Sequence, residues 1–207
     1  MKNSYTRGWS VVVLILATLG RVEVVVAIEQ PGFELTEEIG DLQIRRYEQH
    51  IVARTRVGNS FKEAGNEGFR RLAGYIFGDN DLDQKIAMTA PVVLTPELQD
   101  EEGEQFWVTF SMPSEYGLDE LPEPDDVRVE FETVPIRYMA VLGYRGNWSE
   151  KRYRKYEAKL LSLLENISSW RAKGEPIWAR YDPPFMPGFM RSNEVAIEVV
   201  PITEEQE

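Results

Sequence analysis

The chain has 207 residues, of which 43% are apolar, so it is long enough to bury a sizeable core in one domain or two small ones. Its net charge of −12 argues against nucleic acid and strong membrane-surface binding, because phosphates and anionic lipids are bound through clustered Lys and Arg. The absence of cysteine from the sequence excludes disulfides, thiol catalysis, zinc–thiolate sites and iron–sulfur clusters.

The first 27 residues have the character of a targeting segment. Lys2 and Arg7 precede an apolar run over 11–20, and small residues stand at a cleavage site over 25–27. This pattern predicts a cleaved signal peptide over 1–27 and an exported, periplasmic or extracellular protein. The alternative is an uncleaved N-terminal tether, although the apolar run is shorter than the roughly 20 residues that span a bilayer.

The first half of the chain predicts three strands, a helix and two further strands. Alternation and turn signals indicate the strands, whereas the helix has apolar or small residues at helical spacing. Pro91 implies an edge or a kink in the strand that contains it. In chain order these elements are strands over 33–39, 42–47 and 51–57, a helix over 61–77, and strands over 85–95 and 106–112.

The second half repeats this order. Its helix has an apolar stripe from Tyr153 to Trp170 and is predicted to end near Lys173-Gly174. The strands are predicted over 127–131, 136–144, 177–181 and 195–200. A Gly-Asn step precedes each helix, at Gly58-Asn59 and Gly146-Asn147, which indicates an internal duplication.

These elements predict an α+β fold. We expect a distorted antiparallel β-barrel or bent sheet with two flanking helices, built from a duplicated strand–helix–strand–strand unit. Residues 28–202 would form one domain, with a frayed tail over 203–207. Such a fold is expected to leave a ligand groove between the helices and the sheet.

Features of an enzyme are weak in this sequence. It has no Gly-x-Ser-x-Gly elbow, no P-loop and no dinucleotide fingerprint, and its one histidine is His50. Glu48 with His50 is either a metal-binding pair or a surface pair in a hairpin. The acidic segment 100–104 is typical of a solvated loop. We therefore expect a binding protein rather than an enzyme.

An apolar loop near the C-terminus is the strongest local sign of a binding site. Phe185, Met186 and Phe189 lie among three prolines, outside any helix or strand face. Such a loop forms a ligand or partner site, or it folds back over the core.

The segment Lys85–Val92, with the sequence KIAMTAPV, resembles the hallmark of the SOUL haem-binding family. Four other segments resemble the family in the right order, and together they span about residues 29–200. These segments are Leu42–Tyr47, Phe69–Asp81, Tyr181–Phe185 and Arg191–Val195.

The resemblance implies a barrel-like sheet with two helices and non-covalent binding of haem or another tetrapyrrole. Carried onto this chain, it implies an apolar site formed by the first helix and the loop before the last strand, with cations for the propionates. The implied apolar residues are Phe69, Leu72, Ala73, Ile76, Phe185 and Met186, and the cations are Arg191, Arg70 and Arg71.

The resemblance also bears on which side chain could be the axial ligand of haem iron. A family histidine would stand just before the tyrosine of the first-strand motif, where this chain has Arg46. His50 and Met88 are the remaining axial candidates, and neither occupies the family position. The sequence therefore predicts binding of the ring mainly by hydrophobic contact, with similar affinity for haem and free porphyrin.

Two other functions remain open. The duplicated unit resembles small-molecule effector-binding modules of the gyrase-inhibitor-like type, which hold varied apolar ligands. A hydrolase acting on a hydrophobic substrate through a Tyr and a Glu is the third interpretation. The expected function is that of a tetrapyrrole carrier, buffer or store, and the sequence leaves its oligomeric state open.

Overall fold

The computed structural model of the protein describes residues 28–58, 60–100 and 103–202. Within these residues the chain forms nine β-strands and two α-helices. In chain order they are β1 (Phe33–Ile39), β2 (Leu42–Tyr47), β3 (His50–Gly58), α1 (Phe61–Phe77), β4 (Val92–Asp100), β5 (Gly103–Ser111), β6 (Glu130–Val134), β7 (Arg137–Arg145), α2 (Glu150–Leu164), β8 (Trp170–Arg180) and β9 (Ser192–Pro201).

The predicted signal peptide and the predicted tail, over 1–27 and 203–207, lie outside the described residues. Both, together with the domain bounds of 28–202 that they define, stay predictions. Neither helix in the described ranges is long and apolar enough to cross a membrane.

All nine strands belong to one antiparallel sheet in the order β1-β2-β7-β9-β8-β4-β5-β3-β6. This order is nearly symmetric about the boundary between β8 and β4, since β7-β9-β8 on one side corresponds to β3-β5-β4 on the other. Strand β2 pairs with β7, and β6 pairs with β3, so each half of the chain extends the sheet of the other half. The sheet is not closed. The predicted α+β bent sheet with two helices and a duplicated unit is confirmed.

Local sequence explains where the helices begin and end. Ser60 caps α1 by a capping box, in which its hydroxyl accepts from the Glu63 amide and the Glu63 carboxylate accepts from the Ser60 amide. Gly78, with φ of +123°, ends α1, because that backbone conformation favours glycine. Ser149 caps α2 through its hydroxyl alone, which accepts from the Arg152 amide.

Both helices lie on the same face of the sheet and cover an apolar core. Helix α1 approaches the sheet closely at Gly68, where a Cβ atom would lie 2.4 Å from Cγ2 of Val108. Under α2, the rings of Tyr153 and Trp178 stack with centroids 5.2 Å apart, and Phe61 of α1 meets both. The space between helices and sheet is thus filled by side chains, where the sequence had predicted a groove.

The strand predicted over 85–95 begins only at Val92, and this prediction is wrong for residues 85–91. These residues run as a connection whose amides bond to other segments rather than to a strand ladder. Ile86 donates to the carbonyl of Ile76, and Ala90 donates to that of Glu29.

The second helix ends at Leu164, well before the predicted end near Lys173. Asn and Ser residues over 166–169 favour turns, and Trp170 then begins β8. Ile167 and Trp170 still pack against the core, which is why the apolar stripe continues beyond the helix. The strand predicted over 127–131 also shifts, because Val127 is 94% exposed and β6 starts at Glu130.

Candidate functional site: a cleft on the face opposite the helices

A cleft of about 320 Å³ lies on the face of the sheet that the helices do not cover. The strand period of two separates the faces, because Phe106 and Val108 of β5 point to the core whereas Trp107 and Thr109 line the cleft. The volume is near the lower end of the roughly 300–1,000 Å³ typical of small-molecule pockets. Its apolar lining includes Val93, Trp107, Val134, Met139, Ile177 and Ala196.

Two turns, each of which connects one half of the sheet to the other, meet at this cleft. One runs from Tyr47 to His50, and the other runs from Val134 to Arg137. Tyr47 pairs with Arg137 across β2 and β7, and His50 pairs with Val134 across β3 and β6. All four residues line the cleft, so residues distant in sequence converge here.

The most buried ion pair at the cleft joins Glu194, which lines it, to Arg45, which lies on the same face of β2 as Tyr47. The guanidinium donates to both carboxylate oxygens, at 2.8 and 3.1 Å, and the Tyr181 hydroxyl donates to the same carboxylate. Arg45 also donates to the Tyr47 hydroxyl at 3.2 Å and lies 4.5 Å from the centroid of the Phe33 ring. Glu194 is therefore neutralised by a bidentate partner.

This network sets the protonation of its members. Burial lowers the pKa of Arg45, but Glu194 and Tyr47 oppose this effect, and the net result is a raised pKa. Burial raises the pKa of Tyr181 well above its usual value, and it also raises the pKa of Tyr47. Both hydroxyls stay protonated near neutral pH, so neither is activated as a nucleophile or base.

Two further carboxylates of the cleft have cationic partners. Arg54 bonds to Glu132 and stacks over the Trp107 ring, 4.3 Å from its centroid. Lys173 lies 2.7 Å from Glu198. Together with Glu194, these pairs compensate the three half-buried carboxylates that line the cleft.

Arg137 differs from the other cations of the cleft. Among the described residues its guanidinium has no hydrogen-bond or ion-pair partner, and its Nε atom is buried. Burial lowers the pKa of Arg137, and the more distant Glu198 and Glu132 carboxylates oppose that shift. Its positive charge is thus available to an anionic ligand, because an arginine remains protonated.

His50 lies beside this arginine. Its Nδ1 atom is 2.9 Å from the carbonyl oxygen of Glu48. Burial lowers the pKa of His50, the hydrogen bond to Glu48 raises it, and the charge of Arg137 lowers it, with a net decrease. The imidazole is therefore neutral at pH 7.

The structure places the predicted helix residues in the core. Leu72, Ala73 and Ile76 are buried on the helix side of the sheet, and half-buried Phe69 packs edge-on against Phe110, with centroids 5.5 Å apart. None of the four predicted residues lines the cleft. A ligand could reach these three buried side chains only if the core opened, and their contact with a ligand stays a prediction.

The predicted loop residues lie apart from that helix face. Phe185 is 86% exposed, and Met186 is half-buried. Arg191 donates to the carbonyls of Met186 and Pro184 and lies 4.2 Å from the centroid of the Trp148 ring. Arg191 thus stabilises the conformation of the loop. Neither of the two described cavities is lined by Arg191, Phe185 or Met186.

The remaining candidates divide between two places. Arg70 and Arg71 line a separate depression of about 310 Å³, in which Arg71 already pairs with Glu67 and Asp126. Met88 is 41% exposed and does not line the cleft, whereas His50 does. No group of three or more His, Asp or Glu residues with metal-binding geometry occurs in the part of the chain described.

Sequence analysis missed Arg45, Arg137 and Glu194 as site residues. A signal for them exists in the strand pattern, because charged residues occupy alternate positions of strands whose other positions are apolar. That pattern normally indicates a solvent face. Here the bend of the sheet makes this face concave.

Comparisons with known proteins agree on the family. The family model described as SOUL heme-binding protein matches residues 28–198. Heme-binding protein 1 of Xenopus laevis is 32% identical over 154 residues, which cover 73% of this chain and 80% of the relative. Heme-binding protein 2 of Mus musculus is 29% identical over 176 residues, covering 82% of this chain and 85% of the relative.

Solved structures with low identity share the fold. The C-terminal domain of EcmrR superposes with a TM-score of 0.61 at 11% identity, covering 78% of this chain and 98% of that domain. A hydrolase from Listeria innocua gives a TM-score of 0.50 at 12% identity, covering 77% of this chain and 92% of the other. These likenesses concern architecture alone. The family match and the curated relatives show that the chain belongs to the SOUL heme-binding protein family.

Proposed function

We propose that the protein binds haem or another tetrapyrrole non-covalently in the cleft, and that it acts as a carrier, buffer or store rather than as an enzyme. Family membership supports the ligand class, since the curated relatives are named heme-binding proteins. The chemistry of the cleft supports its location.

The observation that carries this proposal is the free charge of Arg137. A porphyrin such as protoporphyrin IX combines a flat apolar ring with carboxylates on one edge. The cleft offers Val93, Ile177 and Trp107 to the ring, and Arg137 to a carboxylate. Burial of the ring is favourable by about 25 cal/mol per Å² of apolar surface, and the paired carboxylate satisfies a buried donor.

The same charges disfavour a lipophilic cation as ligand. Such a ligand needs an uncompensated carboxylate inside the cleft. The half-buried carboxylates are paired with Arg45, Arg54 and Lys173, and the remaining lining carboxylate, Glu175, is exposed to solvent. Hydrolysis is disfavoured as well, because burial raises the pKa of Tyr47 and of Tyr181 and so removes them as bases. An anionic amphiphile fits the cleft best.

The test is a titration of the purified protein with metal-free protoporphyrin IX and with its dimethyl ester, followed by Trp quenching, since Trp107 lines the cleft. We expect saturable one-to-one binding. Arg137→Gln should weaken binding of the diacid about tenfold to a hundredfold, the effect of about 1.5–3 kcal/mol for a charged hydrogen bond, and leave the ester unchanged. Arg70→Gln, in the separate depression, is the matched control.

Absence of saturable binding to either porphyrin would contradict the proposal. A loss with Arg70→Gln but not with Arg137→Gln would move the site to the α1 side that the sequence predicted. The same titration distinguishes these results, because neither Arg70 nor Arg137 forms an ion pair within the described residues.

We also propose that the protein is exported to the periplasm or the cell exterior, with an uncleaved tether as the alternative. The support is the basic start, apolar run and small residues over 1–27. N-terminal sequencing of the protein isolated from its native cells tests this proposal, and an intact Met1 would contradict cleavage.

A further inference from the structure

The hydrogen bond of His50 fixes its tautomer. A carbonyl oxygen only accepts, so the 2.9 Å contact between Nδ1 and the Glu48 carbonyl places the proton on Nδ1. The other ring nitrogen, Nε2, then carries the lone pair. Nε2 has no partner within the described ranges.

The carbonyl that holds the ring is itself held in place. The Glu48 amide donates to the Gly32 carbonyl at 3.0 Å, and the flanking residues Tyr47 and His50 are each in a strand pair. An imidazole that donates one N–H to a fixed backbone carbonyl is the arrangement by which proteins orient a metal-binding histidine. His50 therefore has the orientation that a ligand needs before any metal is present.

The other cleft side chains of the types that ligate haem iron, which are Met139, Tyr47 and Tyr181, are engaged. Met139 is buried among Val141 and Ala196. The hydroxyl of Tyr181 donates to Glu194, and that of Tyr47 accepts from Arg45. Among the described cleft residues of these types, His50 thus stands out, because its donor atom is neutral and unengaged.

From this geometry we propose that His50 Nε2 is the axial ligand of the iron when the tetrapyrrole in the cleft is haem. The inference rests on the proposed function and deepens it. His50 and Arg137 lie on neighbouring connections, so the iron would bond near one connection and a propionate would pair near the other. This assignment replaces the sequence-based expectation that haem and free porphyrin bind equally, since iron adds a bond that the free ring lacks.

The test compares ferric haem with metal-free protoporphyrin IX in wild type, His50→Gln and His50→Ala. In wild type, we expect a Soret band shifted from that of free haemin, together with the electron paramagnetic resonance signal of an imidazole-ligated ferric haem. Both signatures should disappear in the two variants, and haem affinity should fall about tenfold or more. Added imidazole should restore the Soret band of His50→Ala, and affinity for the metal-free ring should fall less than affinity for haem, because only haem loses a bond to iron.

Met88→Ala serves as the control, because Met88 is the other sequence-predicted axial candidate and lies outside the cleft. Far-UV circular dichroism and the melting temperature show whether each variant is folded, and His50→Gln retains a polar side chain of similar size. If wild type and both His50 variants bind haem with identical spectra, the ligation is overturned and the proposed function remains. If wild type binds neither ring, the proposed function fails.

Discussion

The two faces of the sheet differ in what covers them, although the same strands build both. On the helix side, alternate residues such as Val108 and Trp178 are buried under α1 and α2. On the cleft side, the intervening residues include Arg137 and Glu194, and the charges there are paired within the sheet or left for a ligand. Neighbouring residues in one strand therefore serve either stability or binding, and substitutions one position apart should separate the two.

The largest effect on stability is expected on the helix side, at Leu94 of β4. Leu94 is fully buried, so Leu94→Ala should lower the free energy of unfolding by about 2–5 kcal/mol through lost burial and a cavity. Its neighbour Val93 is half-buried in the cleft, and Val93→Ala should cost less than about 1.5 kcal/mol. Urea unfolding measures both.

Porphyrin titration of the same two variants completes the comparison. Val93→Ala should weaken binding of protoporphyrin IX, whereas folded Leu94→Ala should bind as wild type does. If Leu94→Ala weakened binding and Val93→Ala did not, the ligand would belong to the helix side.

The sequence predicted the helix-side face well, because its signals are local. The apolar period over 61–77 predicted the bounds of α1 that the structure shows, where Ser60 caps the helix and Gly78 ends it. The error at the end of α2 has a physical cause. Trp170 falls at the spacing of the apolar stripe of α2, but it belongs to strand β8. Its indole donates to Glu37 of β1, which is too distant in sequence for a local pattern to reveal the contact.

The cleft could not be predicted from the sequence, because it depends on which strands meet. The pairing of Tyr47 with Arg137 joins residues 90 positions apart, and the pairing of His50 with Val134 spans a similar distance. Alternating polar residues predict an outer face, and only the bend of the sheet turns that face into a cleft. His50 was recognised as a candidate, whereas its orientation by Glu48 required the structure.

The second-largest loss of stability is expected when the Arg45–Glu194 ion pair on the cleft side of the sheet is broken. Arg45→Met leaves the Glu194 carboxylate, whose side chain is 17% exposed, with Tyr181 as its remaining donor. We expect a loss of about 2–4 kcal/mol in the free energy of unfolding at pH 7, because an unpaired charge stays largely buried. Urea unfolding measures this loss.

Two controls sharpen that measurement. The double variant Arg45→Met with Glu194→Gln should recover much of the loss, since no charge is left unpaired. Lys173→Met removes the partner of Glu198 in a more exposed pair and should cost less than about 1 kcal/mol. Equal losses for Arg45→Met and Lys173→Met would show that the two pairs are equally solvated, contrary to the structure.

The smallest effect is expected from the protonation of His50 in the unliganded protein. The pKa of His50 is lowered in the folded state, by burial first and also by Arg137, which outweigh the hydrogen bond to Glu48. Well above pH 7 the ring is neutral in both states and contributes no difference. As the pH falls below about 6.5, the unfolded chain takes up the proton first, so the folded state loses stability until the folded pKa is passed.

Wild type should therefore lose more stability than His50→Gln between about pH 7 and pH 5. The difference should stay below the effects at Leu94 and Arg45, because the half-exposed ring is screened by water. Urea unfolding of both proteins at several pH values measures it, and parallel profiles would mean that burial does not perturb His50 in the open cleft.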